Sequence, residues 1–135
     1  MTMAAIQTAL YSRLTSWPAL ATVPVYDHVP QDATPESNEP FPFITIGEDS
    51  HENWDTDTET GLESLLRVHV WSRHEGRLEA RQIQDHIRAA LNRHELSVPG
   101  CNTVILDMES AEVQRIDDGQ TYHGIQEFRL LLEEL

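Results

Sequence analysis

The chain is 135 residues long and carries 23 acidic against 9 basic side chains, a formal net charge of −14. A domain of this size closes one core without covalent staples. The lone Cys101 excludes an intrachain disulfide, and no apolar run approaches the ~18 residues that a membrane helix needs. The opening stretch MTMAAIQTALYSRL lacks both the positive and the continuously apolar segment of a secretory signal, so none is expected.

All nine basic residues are arginines, and none falls between Arg13 and Arg67. That interval holds eleven acids: Asp27, Asp32, Glu36, Glu39, Glu48, Asp49, Glu52, Asp55, Asp57, Glu59 and Glu63. Neutralising phosphates takes Lys or Arg, so this segment repels DNA, mimics it, or attracts a basic protein surface.

In chain order, Ile6, Leu10 and Leu14 recur every fourth residue beside Ala5 and Ala9, which predicts a helix over 3–16 closed by Trp17-Pro18. Val25 to Val29 reads as a short strand, and Pro30 to Pro42, with four prolines, as a loop. Phe43 to Ile46 reads as a strand, followed by a polar stretch from Glu48 to Thr60 around a lone Trp54. Leu62, Leu66, Val68 and Val70 alternate with Glu63, Leu65, Arg67, His69 and Trp71, the period of a long strand with one apolar face. Ser72 to Glu75 matches a capping box and predicts a helix start there. Ala80, Ile83, Ile87, Ala90 and Leu91 form that helix's buried stripe, with its end near His94. After a turn at Val98-Pro99-Gly100, Thr103 to Arg115 reads as a strand bent near Ser110-Ala111. Asp117-Asp118-Gly119-Gln120 is a hairpin turn returning through Tyr122 to Leu132. The order α-β-β-β-α-β-β predicts one α+β domain over 1–135: an antiparallel sheet of four to five strands with two helices packed on one face.

The chemistry is mostly a matter of what is missing. The six glycines form no nucleotide-binding pattern, and no nucleophile elbow is present. Seven histidines include no HExxH and no i, i+4 pair, and His86 and His94 stand two turns apart on one helix. Asp55-Thr-Asp57-Thr-Glu59 begins like a calcium loop, but Thr60 and Leu66 stand where an EF-hand needs glycine and glutamate. A looser oxygen-ligand site stays open beside the simpler reading of a solvated acidic loop. Cys101 reads as a packing or surface residue. No catalytic residue, cofactor or metal ligand is expected.

Two features point to protein–protein contact. Arg77, Arg81 and Arg88 cluster on one side of the second helix, with Asp85 spaced to pair with the latter two. A solvated helix face is the simpler and favoured account of them, and an interface is the sharper alternative. Under the interface reading, the acid-rich region 48–63, with Trp54, Asp55, Asp57 and Glu59, meets the arginine stripe of a second copy. Opposite charges on different faces of one protomer make a head-to-tail contact that closes into a ring. Trp54 either tucks into its own core or anchors a partner.

A family resemblance runs through Leu10-Tyr11-x-Arg13-Leu14, Val25-Tyr26-Asp27-His28-Val29-Pro30 and Phe41-Pro42-Phe43-Ile44-Thr45-Ile46-Gly47. It continues through Trp54, Val68-His69-Val70-Trp71-Ser72-Arg73, the helix from Ala80 to Leu91, Ser110-Ala111-Glu112-Val113 and Asp118-Gly119-Gln120-Thr121-Tyr122-His123-Gly124. This ordered set resembles the DUF3168 family of tail completion proteins of tailed phages, prophages and gene transfer agents. The resemblance implies a small α+β subunit, similar to tail terminators, that forms a hexameric ring, caps the tail tube, stops its polymerisation and presents the joint to the head. It implies as partners further copies of the chain, the tail tube protein and a head-side connector or stopper. DNA would pass through without specific binding, and no membrane is involved. Assembly would take place in the host cytoplasm, before incorporation at the tail–head junction. It carries no catalytic or cofactor residue and no map of ring contacts. Other readings open at this point are a stopper subunit, an acidic DNA mimic that inhibits a nucleic-acid-binding enzyme, and a calcium-dependent binding module.

Overall fold

Leu66, Val68 and Val70 face one side of a single strand, and both helices supply the apolar stripes that cover that side. The computed structural model describes residues 2–27 and 41–135. The elements are α1 (Thr2–Ser16), a 3-10 turn (Pro18–Leu20), β1 (Val25–Tyr26), β2 (Phe43–Asn53), β3 (Gly61–Ser72), α2 (Leu78–Leu91), β4 (Cys101–Arg115) and β5 (Tyr122–Glu134). They form one five-stranded sheet in the order β1-β2-β3-β5-β4. The core joins Ile6, Leu10 and Leu14 of α1 and Ile83, Ile87 and Leu91 of α2 to Ile44, Leu66, Val68, Val70, Phe128, Leu130 and Leu132 of the sheet. This is the expected α+β architecture with both helices packed against the same core.

Four local expectations change. β1 runs parallel to β2, whereas every other pairing is antiparallel. The expected strand at 25–29 is described only at Val25–Tyr26, and its last two residues, with most of the 30–42 loop, lie outside the described residues. The polar stretch from Glu48 is not all loop: β2 continues to Asn53 because Asp49 to Asn53 pair with Leu66 to Leu62, past an irregularity between Ile46 and Asp49. Cross-strand hydrogen bonding overrides weak strand propensity there.

The capping box is also set aside. Ser72 is the last residue of β3, paired with Tyr122, and Gly76 takes φ +84°, which a helix cannot continue through. The helix starts only at Leu78, and the Ser72 hydroxyl donates instead to Glu79 Oε1 at 2.7 Å. Glu79 stands in the first turn, where a carboxylate also complements the helix dipole.

The Asp-Gly turn forms as expected. Gly119 has φ +75°, and Asp118 accepts from the Gln120 and Thr121 amides and from the Thr121 hydroxyl at 2.6–2.9 Å. Burial would raise the Asp118 carboxyl pKa, but these hydrogen bonds, with Arg73 nearby, hold it below the usual carboxylate value.

Ile87 is fully buried on α2 and Leu78 is 65% exposed at its start. Ile87→Ala should cost about 2–5 kcal/mol and Leu78→Ala no more than about 0.5 kcal/mol, read from urea unfolding midpoints.

Candidate assembly surface

The hairpin joining β2 to β3 is tied into a defined shape. The Trp54 amide donates to Gly61 O at 2.8 Å, the Thr56 amide to Glu59 O at 2.8 Å, and the Glu59 amide to Thr56 Oγ1 at 3.0 Å. The Gly61 amide donates to Asp55 Oδ1 at 3.2 Å, and β5 secures the base through Glu134 N to Thr60 O at 2.8 Å. Gly61 has to be glycine, since a Cβ there would lie 2.6 Å from Trp54 Cε3. Trp54 therefore rests part of its ring on Gly61 while 38% of the residue stays exposed. It is neither a core residue nor a free one. Asp55 spends one carboxylate oxygen on the hairpin, and Asp57 and Glu59 stand exposed at its tip.

The arginine stripe lies at the opposite edge of the sheet, where α2 runs over β4. Gln84 Nε2 donates to Glu112 O at 3.0 Å, the Met108 amide to Asn92 Oδ1 at 2.8 Å, and the Arg93 amide to Leu106 O at 2.6 Å. Arg77 Nε approaches Val113 O at 3.5 Å, and its guanidinium lies 5.6 Å from the centre of the Tyr122 ring. These contacts occupy backbone groups along the edge strand, so this flank presents side chains and not an open ladder. Arg81 and Arg88 are exposed. The expected pairing of Asp85 with them is absent: among the described residues neither guanidinium comes within ion-pair distance of a carboxylate. Exposed i, i+4 pairs gain only a few tenths of a kcal/mol, too little to hold the side chains together. The predicted residues thus form two groups, Trp54, Asp55, Asp57 and Glu59 at the β2–β3 turn and Arg77, Arg81 and Arg88 on α2, far apart within one protomer.

The face of the sheet away from the helices holds groups that sequence reasoning left unassigned. Arg67 pairs with Glu127 across β3 and β5 at 3.2 Å, and Arg129 with Glu63 at 3.2 Å. Beside this ladder, Trp71 stacks on His123 at 3.9 Å between ring centres, and Trp71 Nε1 donates to Thr45 Oγ1 at 3.1 Å. His69 Nδ1 and His123 Nε2 share a hydrogen bond of 2.7 Å, and Glu48 Oε1 lies 3.5 Å from His69 Nε2. A Cβ at Gly47 would collide with the His69 ring, so that glycine makes room for the pair. The alternation along β3 places Arg67, His69 and Trp71 on one face. Only the register with β5 reveals Glu127 and His123 as their partners. Among the described residues no three His, Cys, Asp or Glu side chains converge as metal ligands.

The family model of the tail completion protein gp17 matches residues 8–133. The chain belongs to this family. It is 29% identical over 99 residues to the tail completion protein gp17 of Bacillus phage SPP1, an alignment covering 73% of each protein. The solved structure of bacteriophage SPP1 gp17 superposes with a TM-score of 0.60 at 27% identity, covering 94% of this chain and 88% of that one. A chain in the virion of a native gene transfer agent particle shares the fold, with a TM-score of 0.83 at 21% identity and coverage of 98% and 97%.

In this tail completion protein the histidine pair makes stability depend on pH. Burial, and then the proximity of His69, lower the His123 pKa to about 4, and Glu48 opposes this only in part. A free histidine titrates near 6.5. As pH falls from about 6.5 towards 4, the unfolded chain takes up a proton that folded His123 refuses, so the stabilisation present above that window is lost within it. The melting temperature should fall between pH 7 and pH 4.5, and fall less in His123→Gln. Equal losses in the two proteins would remove His123 as the cause.

Proposed function

We propose that this tail completion protein is the subunit of a ring, six copies in all, that caps the finished tail tube, ends its polymerisation and provides the joint to the head. It would assemble in the host cytoplasm and remain at the tail–head junction of a virion or gene transfer agent particle. The observation that carries the reading is the placement of its exposed charge. An acid-rich arm with an exposed tryptophan stands at one edge of the sheet, and exposed arginines line the other. A head-to-tail contact joins unlike surfaces and closes when the rotation closes, which is what a ring requires. The partners are then neighbouring copies, the tail tube protein below and a head-side connector above. The net charge of −14 keeps passing DNA from adhering, because phosphate binding needs basic side chains.

In this proposal region 48–63, with Trp54, Asp55, Asp57 and Glu59, meets Arg77, Arg81 and Arg88 of the neighbouring copy. Support comes from the hydrogen bonds that shape the hairpin and from the absence of carboxylate partners for Arg81 and Arg88 within the described residues. Pairing of this kind steers association and makes it sensitive to salt. No acid–base or nucleophile constellation enters the reading, and the role is structural.

Arg81→Glu with Arg88→Glu should weaken self-association by about tenfold, or ~1.4 kcal/mol, with a reduced dependence on salt. Light scattering over a concentration and salt series measures it, and an unchanged oligomer mass counts against this contact. Particles made without the protein should carry overlong tails by negative-stain microscopy. Tails of normal length beside leaking heads would assign a stopper role instead.

A further inference from the structure

The strand register fixes which residues of the sheet's two edges lie at the same height. Val113 is opposite Gly124, Gly124 opposite Val70 and Val70 opposite Ile44. Ten residues lower, Thr103 is opposite Leu132, Leu132 opposite Leu62 and Leu62 opposite Asn53. Through these antiparallel steps β4 runs opposite to β2. A rotation axis along the strands would therefore bring the β4 edge of one copy beside the β2 edge of the next, at matching heights and with the alternation of direction continued.

The features at those heights correspond. Arg88 lies between Gln84, bonded to Glu112, and Asn92, bonded to Met108. Through the register these heights are those of Thr45 and Asp49, so Arg88 is level with the stretch between them, and Asp49, opposite the core residue Leu66, shares the helix face of the sheet. Lower on the same flank is a groove of about 320 Å³ lined by Arg93, Val104 and Asp107. The Arg93 side chain is 85% exposed and Val104 47% exposed. Asp107 and Thr103 are level with Ser50 and Asn53, the residues leading directly to Trp54.

We propose that neighbouring copies join edge to edge with their strands along the ring axis, the exposed part of Trp54 seating in the next copy's groove at Arg93 and Val104, and Asp49 facing Arg88. This rests on the ring reading and changes its contact in one respect: at matching heights Trp54 meets Arg93 and Val104, because Arg77, beside Val113, lies at the other end of the edge. Because α2 already occupies backbone groups of β4, the joint is one of side chains and not of an added strand. The tryptophan gains apolar contact with Val104 and a cation over its ring from Arg93, the arrangement of an interface anchor with a charged rim.

Disulfide trapping tests the register. In full-length protein carrying Cys101→Ser, Asn53→Cys is combined with Val104→Cys and the protein is oxidised with diamide. The expected product is a covalent ladder rising to the ring, whereas each single cysteine stops at a dimer. Glu52→Cys with Val104→Cys is a second pair at almost the same height, should the first variant fold poorly. If the Cys101→Ser parent forms rings by light scattering but neither pair links beyond dimers, the edge docking is wrong and the ring reading survives. A parent that associates neither at high concentration nor on isolated tails overturns both.

Discussion

Twelve consecutive residue pairs bind β3 to β5, from Gly61 opposite Glu133 to Ser72 opposite Tyr122, with no break in register. This ladder is the constraint on which the other elements depend. Successive side chains on a strand alternate between faces, so a slip of one residue would exchange the buried and open sets on both strands. In the observed register Leu66, Val68, Val70, Phe128, Leu130 and Leu132 all enter the core beneath the helices. The same register sets Arg67 against Glu127 and Trp71 against His123 on the other side. β2 and β4 then extend this central pair outwards, each with at least one irregularity that lets its edge diverge from a flat ladder.

A chain with a net charge of −14 can assemble with itself only if its acids are distributed so that copies do not repel where they meet. Under the proposed ring, three arrangements would achieve this. On the open face Glu63 and Glu127 are neutralised by Arg129 and Arg67 within the protomer. At the β2 edge and the hairpin acids outnumber bases, and on α2 Arg81 and Arg88 make no ion pair among the described residues although Glu79 and Asp85 share the helix. The first acidic residue in the sequence is Asp27, so α1 adds no negative charge to the helical layer. Its one arginine, Arg13, is occupied in holding the carbonyls of Ala90 and Glu95.

The sheet edges make a related point about assembly. A long edge strand is a template for uncontrolled pairing, and here α2 and the residues just after it lie along β4 and occupy the Leu106 carbonyl, the Met108 amide and the Glu112 carbonyl. Under the proposed ring, a neighbour at this flank would have to match its side chains in shape and charge. At the other edge, β1 pairs with β2 over two residues among those described, and the acidic half of β2 and the hairpin lie beyond that pairing. Under the proposed ring, specificity would reside in those side chains, with the shared fold of tail completion proteins as the frame.

The sequence by itself determined the fold class, the order of elements, the two helical stripes and the alternation of β3, because each follows from the spacing of apolar residues along a single segment. It also showed Trp54 and the two charged groups as candidates, since an isolated tryptophan among acids and an arginine stripe on a helix are local patterns. Tertiary structure decided everything that depends on two segments meeting. The strand register carried β2 to Asn53 against its polar composition, and Gly76 with the Ser72–Glu79 hydrogen bond moved the start of α2 to Leu78. The His69–His123 pair, the arginine–glutamate ladder and the cover over β4 join residues dozens of positions apart in the chain. Hydrogen-bond register and packing create these contacts, and neither leaves a periodic trace within one segment.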